Sequence, residues 1–218
     1  MYNLPYFKEK NAQVIVDFMR QHPFALLIGT ADNQPVATQI PFLIEAQDDR
    51  LWLKGHFMRN TDHHKAFVQN QQALCVFTGA HTYVSASWYT EPQVASTWNY
   101  MSVHARGKLQ FTDDASLVEI LEKTTVLFEN NEASPASFHH LSKDYVERLS
   151  KAIVGFEIEV QQLDHVFKLS QNRDEKNYHN IIMQLQQQDA GAQTIAAEMQ
   201  NRTEQLFPSS AAPVEKKA

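Results

Sequence analysis

The apolar run Phe24-Ala25-Leu26-Leu27-Ile28-Gly29-Thr30-Ala31 and a second apolar run over residues 36–45 flank the short polar segment Asp32-Asn33-Gln34-Pro35. Turn-forming residues between two strand-like runs pair those runs as an antiparallel hairpin. Gln47-Asp48-Asp49-Arg50 marks another turn, ahead of a strand over residues 51–56. Further strands are expected at 73–78, 83–84, 97–103, 105–111 and 153–160, where aromatic and β-branched residues concentrate. A sheet of six or more strands follows. Helical spacing behind Asn11, over residues 61–69, from Asp113 or Asp114 to residue 128, and over 143–149 adds helices around it.

The 218 residues suffice for one substantial core. Hydrophobic residues make up 43% and charged residues 20%, which excludes wholesale disorder. Beyond Lys168 the chain turns polar, yet Ile181, Ile182 and Leu185 keep a helical stripe. We therefore expect a folded domain over residues 1–186 and, over 187–218, a polar C-terminal helix with a mobile tail from Pro208. Cys75, the single cysteine, sits in an apolar run and reads as an inert buried thiol. No apolar run approaches the ~20 residues of a membrane span, and the N-terminus has no secretory pattern, so a cytoplasmic protein is expected. A net charge of −6, with no helix-turn-helix pattern, gives direct DNA binding no support.

From Gly79 to Gly107 the chain gathers aromatic rings, hydroxyls, imidazoles and an amide, a mixture suited to a flat polar ligand and equally to a core. In Gly55-His56-Phe57-Met58-Arg59-Asn60 a strand ends at the entry to a helix. There a guanidinium and exposed N–H groups suit a phosphate; the alternative is Arg59 in solvent or paired with Asp62. Thr38 and Gln39 interrupt an apolar strand, and Pro41 removes a ladder donor, which implies an edge or a bulge. Lys168-Leu169-Ser170-Gln171-Asn172-Arg173 is a compact donor cluster that suits an anion or a helix start. No His-Glu-x-x-His, Gly-x-Ser-x-Gly or Gly-rich nucleotide loop is present, and no metal site is expected.

Taken together, Pro41-Phe42, Gly55-His56-x-x-Arg59-Asn60, Gly79-x-His81-x-Tyr83-x-Ser85-x-Ser87-Trp88-Tyr89, Thr97-Trp98-Asn99-Tyr100, Val103-His104-x-x-Gly107, Ile153-Val154-Gly155-Phe156-Glu157-Ile158 and Lys168-Leu169-Ser170-Gln171-Asn172-Arg173 resemble the PaiB-type family of FMN-binding negative transcriptional regulators. The resemblance implies a mainly β protein with peripheral helices (α+β), an antiparallel split β-barrel of the FMN-binding type related to pyridoxamine 5'-phosphate oxidases. It also implies a homodimer with flavin sites between the subunits. On this resemblance Arg59, Asn60, Thr38 and Lys168 hold the FMN phosphate. Gln39, Ile40 and Pro41 then present backbone to the isoalloxazine edge, and Trp98, Asn99 and Gln171 contact the ring. Three segments depart from the family pattern: Ala86 and Ala95-Ser96 stand where prolines are usual, and Thr61-Asp62-His63-His64 replaces an Ala-Asn-Pro-Gln type of continuation.

The resulting expectation is an FMN-binding protein that regulates transcription negatively, with both a direct and an indirect route open. Two alternatives stay open: a flavin-dependent oxidoreductase, and a haem-binding or haem-degrading split barrel with His104, His81 or the His63-His64 pair approaching iron. Whether the chain is an enzyme is left undecided by the sequence.

Overall fold

The structure, a computed structural model, describes residues 1–131 and 133–208. The tail expected beyond Pro208 lies outside these residues. Seven strands form one antiparallel sheet in the order β2-β1-β5-β6-β7-β4-β3: β1 (Phe24–Ala31), β2 (Gln34–Pro41), β3 (Leu43–Gln47), β4 (Arg50–Met58), β5 (Gln72–Val84), β6 (Thr97–Phe111) and β7 (Ile153–Lys168). Around it lie α1 (Ala12–Gln21), α2 (Asp62–Gln69), α3 (Asp114–Glu129), α4 (Lys143–Ser150), α5 (Glu175–Leu185), α6 (Ala190–Gln200) and α7 (Thr203–Leu206). This is the expected mainly β architecture with peripheral helices. Among the described residues, no helix is long and apolar enough to cross a membrane.

Local chemistry explains the boundaries. Asp32 and Asn33 have φ of 49° and 60°, and Asp48 and Asp49 have 50° and 60°. Short Asx side chains tolerate this left-handed geometry, and two-residue turns of this hand follow strand twist. Asn11 caps α1 by accepting from the Gln13 N–H at 2.9 Å, and Asp113 caps α3 through the Ser116 N–H at 2.8 Å.

Some strands differ from expectation. Residues 36–45 are not one strand: β2 ends at Pro41, and the fully buried Phe42 donates its N–H to the Pro23 carbonyl at 2.9 Å before β3 begins. The edge that Pro41 implied is real, since β2 borders the sheet. Residues 73–78 and 83–84 belong to the single strand β5, because Gly79 and Ala80 continue the extended chain instead of turning it. In the same way 97–103 and 105–111 merge into β6. β7 runs eight residues past the expected end at Val160, through a polar stretch in which Asp164 pairs with Arg106 at 2.6 Å.

The chain divides into two compact units, and the boundary falls within each of β5, β6 and β7. The first, here the core unit, comprises Lys10–Thr78 and Ser102–His165. Its centre is aromatic: Phe57 stacks on Phe156 at 5.2 Å, and Phe42 lies 5.5 Å from Phe77 and 6.0 Å from Phe156. Each such buried ring contributes roughly 1.5–3 kcal/mol. Cys75 is fully buried here, and burial pushes its thiol pKa far up, so the thiolate does not form at neutral pH.

The second, the terminal unit, comprises, among the described residues, Met1–Glu9, Gly79–Met101 and 166–208. Its centre lies between α5 and α6, where Tyr178, Ile181, Leu185, Ile195 and Met199 are fully buried. The Tyr178 hydroxyl donates to the Met199 carbonyl at 2.9 Å. Arg202 secures the far side, 2.5 Å from Glu198 and 3.8 Å from Glu9, with its guanidinium over Phe167.

Gly107 allows the close approach of β6 to β7. A Cβ there would collide with the Glu159 carbonyl oxygen and stand 2.7 Å from Ile158 Cγ2. Gly107→Ala is therefore expected to cost about 2–3 kcal/mol in urea unfolding, whereas Lys108→Ala beside it stays within ~0.5 kcal/mol.

Candidate functional site

In the core unit, β2 packs beside α2 and β4 and brings one set of the expected ligand residues together. Thr38 pairs with Leu27 of β1, Gln39 with Leu26, Ile40 with Ala25 and Pro41 with Phe24. Ile40 points inward and is buried, while Gln39 is exposed. Gly55 lets β4 approach this strand: a Cβ on it would lie 3.2 Å from the Pro41 carbonyl and 2.9 Å from the Phe156 ring. Arg59 and Asn60 follow directly at the end of β4.

Arg59 is exposed, and its backbone N–H donates to the Ala152 carbonyl at 2.9 Å. Its guanidinium makes no hydrogen bond or ion pair among the described residues, so the expected alternative of an Arg59–Asp62 pair is not formed. Asp62 turns instead to His63, accepting from its backbone N–H at 2.7 Å and from its Nδ1 at 3.0 Å. These bonds hold the Asp62 carboxyl below the usual carboxylate range.

The other donors at the start of α2 are also used internally. Asn60, at φ 65°, donates its N–H to His64 Nδ1 at 3.0 Å. The Thr61 hydroxyl caps the helix by accepting from the His64 N–H at 3.4 Å, and it donates to the Met58 carbonyl at 2.9 Å. An accepting Nδ1 places the His64 proton on Nε2 and requires a neutral ring. Burial against Phe57 and Phe111 lowers the His64 pKa, and the charges of Arg59, His63 and Lys65 lower it further.

The terminal unit holds the second set. Trp98 is 51% exposed and forms an outward aromatic cluster with Tyr83 at 5.8 Å and His81 at 6.1 Å. Its neighbour Asn99 is fully buried: it accepts from the Ser170 hydroxyl at 3.0 Å and donates to Met199 Sδ at 3.5 Å. Lys168 donates to the Thr97 hydroxyl and to the Trp98 carbonyl at 2.8 Å, with its ammonium over the Tyr2 and Phe7 rings. Burial lowers its pKa, helped by Arg173. Gln171 closes its own turn, donating to the Phe167 carbonyl at 2.6 Å and accepting from the Leu169 N–H at 2.7 Å. In this set the Trp98 ring is presented outward, whereas the polar groups of Asn99, Lys168 and Gln171 already serve the chain.

Sequence reasoning did not single out Asn177, which anchors the Ser-Trp-Tyr loop. This fully buried side chain accepts from the Thr90 N–H at 2.8 Å and donates to Glu91 Oε2 at 2.9 Å and to Asp174. Asn180, one helical turn on, donates to the Trp88 carbonyl at 2.5 Å, and Arg173 lies 4.1 Å over the Tyr89 ring. The i, i+3 spacing of Asn177 and Asn180 on α5 was the available signal. Of the histidines expected near iron, His104 is half-buried, its pKa lowered by burial and by Arg106, His81 is exposed, and His63 and His64 are bonded to Asp62 and to the Asn60 N–H at the start of α2.

Two expectations follow. Asn177→Ala strands the Thr90 N–H and should cost about 1–3 kcal/mol, with faster hydrogen exchange at Thr90 as the local readout. His64 is held neutral by the fold, so its stabilisation is present above the unfolded-state pKa of about 6.5 and is lost as pH falls through the lower folded value. His64→Gln, whose amide oxygen can accept the same N–H, should lose less stability than the parent between pH 7.5 and pH 5 in urea titrations.

Residues 1–162 match the model of a family described as "Putative FMN-binding domain". The chain is 35% identical over 189 residues to protease synthase and sporulation protein PAI 2 of Bacillus subtilis, covering 87% of this chain and 91% of that protein. Among solved structures, the flavocytochrome Anf3 of Azotobacter vinelandii has a similar fold, with a TM-score of 0.54 at 14% identity, covering 82% of this chain and 78% of that one. The FAD and heme binding protein of Mycobacterium smegmatis gives 0.52 at 16% identity, covering 73% and 72%. With its matched domain and its antiparallel split-barrel fold, the chain belongs to the PaiB-type family of FMN-binding split-barrel proteins.

Proposed function

We propose that this protein binds FMN with the phosphate on Arg59, and that it works as a negative regulator through the flavin instead of through direct contact with DNA. The uncommitted guanidinium of Arg59, at a strand-to-helix junction inside the matched domain, carries this reading. A guanidinium fork suits a phosphate, and the Thr38 hydroxyl and Asn60 side chain add neutral donors in the same unit. Backbone of Gln39, Ile40 and Pro41 on the edge strand β2 supports the ring. We assign Asn99 and Lys168 to positioning Trp98 and its strand, and Gln171 to the turn after β7, because their polar atoms are already bonded. A homodimer with flavin between the subunits completes the reading, on the strength of the PaiB-type resemblance.

FMN, when bound, supplies one- and two-electron redox chemistry. The chain's own part is to hold the phosphate, orient the ring and limit access of water. Asp62 opposes phosphate binding, because its carboxylate stands at the turn beside Arg59 and repels a phosphate dianion. The net charge of −6 likewise favours regulation that does not depend on gripping DNA. Redox activity with a second cofactor is the alternative, favoured by the two structural relatives whose names include a flavocytochrome and a flavin and heme binder.

Flavin fluorescence titrations test the proposal. FMN affinity should fall roughly tenfold or more in Arg59→Ala, remain unchanged in Arg148→Ala on α4, and rise several-fold in Asp62→Asn, while riboflavin affinity stays constant throughout. A parent protein with no FMN affinity, or an Arg59→Ala protein that binds FMN normally, sinks the reading. Haemin titration in parallel reports on the alternative through a Soret band.

A further inference from the structure

A groove of about 600 Å³ in the core unit is lined by β3, an edge strand of the sheet, and α3, a volume that suits a small organic molecule. Pro23, Phe42, Leu43, Ile44, Val126 and Leu127 provide its apolar lining. Val126 and Leu127 are 53% and 52% exposed, on a helix whose core-facing side already buries Leu117 and Ile120. Thus α3 carries apolar surface that its own packing does not use.

Five charged residues also line the groove, and four of them are committed. Lys123 Nζ lies 2.9 Å from Glu45 and 2.7 Å from Glu119, and Glu45 also binds Lys54 at 2.9 Å. Arg20 is directed to the Ile44 carbonyl at 3.4 Å and to Asp17 at 3.5 Å. Glu122 differs, since its paired group is the exposed imidazole of His139 at 3.7 Å, beyond hydrogen-bonding distance. With the partners Lys54 and Asp17 counted, four carboxylates stand against three cations, which leaves the groove one charge negative, and the carboxylate without a close cation is Glu122.

We propose that this groove binds a small apolar amine, with its hydrocarbon or aromatic body against Ile44, Val126 and Leu127 and its ammonium on Glu122. The same charge balance rejects amphiphiles with a carboxylate head, and a neutral head gains nothing from Glu122. The proposal stands apart from the flavin reading, because it uses none of the residues assigned to FMN.

Decylamine, decanol and decanoate, each below its aggregation threshold, are titrated into the isotopically labelled full chain and followed by amide chemical shifts. The amine should bind about fivefold more tightly than the alcohol, and decanoate more weakly than both, with shifts centred on Ile44, Val126 and Leu127. Glu122→Gln should bring the amine to the alcohol's affinity and leave the alcohol unchanged. Leu127→Asp, at an exposed position that leaves the fold intact, should weaken alcohol binding. Absence of amine binding, equal affinity for amine and decanoate, shifts outside the groove, or an amine preference that survives Glu122→Gln overturns the proposal.

Discussion

The aromatic packing of Phe42, Phe57, Phe77 and Phe156 is the contact on which the core unit depends. It brings β4 close against the end of β2, and it does so because Gly55 has no side chain to collide with the Phe156 ring or the Pro41 carbonyl. The position of Arg59 is a consequence. β4 ends a few residues beyond Gly55, α2 starts soon after under the Thr61 cap, and the guanidinium is left at the junction with no internal partner among the described residues. The proposed phosphate ligand is thus set by apolar packing several residues away, with no direct polar scaffold of its own.

The two groups of candidate ligands are built in opposite ways. In the core unit the cation is uncommitted while the neighbouring backbone donors are occupied by Asp62, Thr61 and His64. In the terminal unit the ring of Trp98 is presented outward while the amides and ammonium around it are bonded to the chain. In both arrangements hydrogen bonds fix the surroundings while one group faces outward, through local bonds in the core unit and through long-range bonds in the terminal unit. The departure Thr61-Asp62-His63-His64 acquires a physical meaning here, because Thr61, Asp62 and His64 accept the backbone N–H groups at the helix start and the His63 ring bridges Thr61 and Asp62.

Much of this was legible in the chain. The Asx pairs at 32–33 and 48–49 announced two tight hairpins, Pro41 announced an edge, and Asn11 and Asp113 announced helix starts. These signals act over a few residues, so no tertiary information is needed to read them. The length of β5, β6 and β7 was not legible, because Gly79, His104 and the polar run after Val160 look like interruptions until neighbouring strands satisfy their backbone. Asn177 was hidden for a related reason: its partners Thr90 and Glu91 lie more than 85 residues away in sequence.

By itself the sequence determined the strand-rich class, the hairpin turns, the helix caps and the family signature, since these rest on backbone geometry and nearest-neighbour chemistry. It also supplied Arg59, Trp98 and Lys168 as chemically capable residues. Only the tertiary structure decided which of them remained available. It left the Arg59 guanidinium and the Trp98 ring facing outward, and it drew Lys168, Asn99 and Gln171 into internal bonds. The physical reason is that a side chain's residue type sets what it can bind, whereas its availability depends on groups brought beside it by folding from distant parts of the chain.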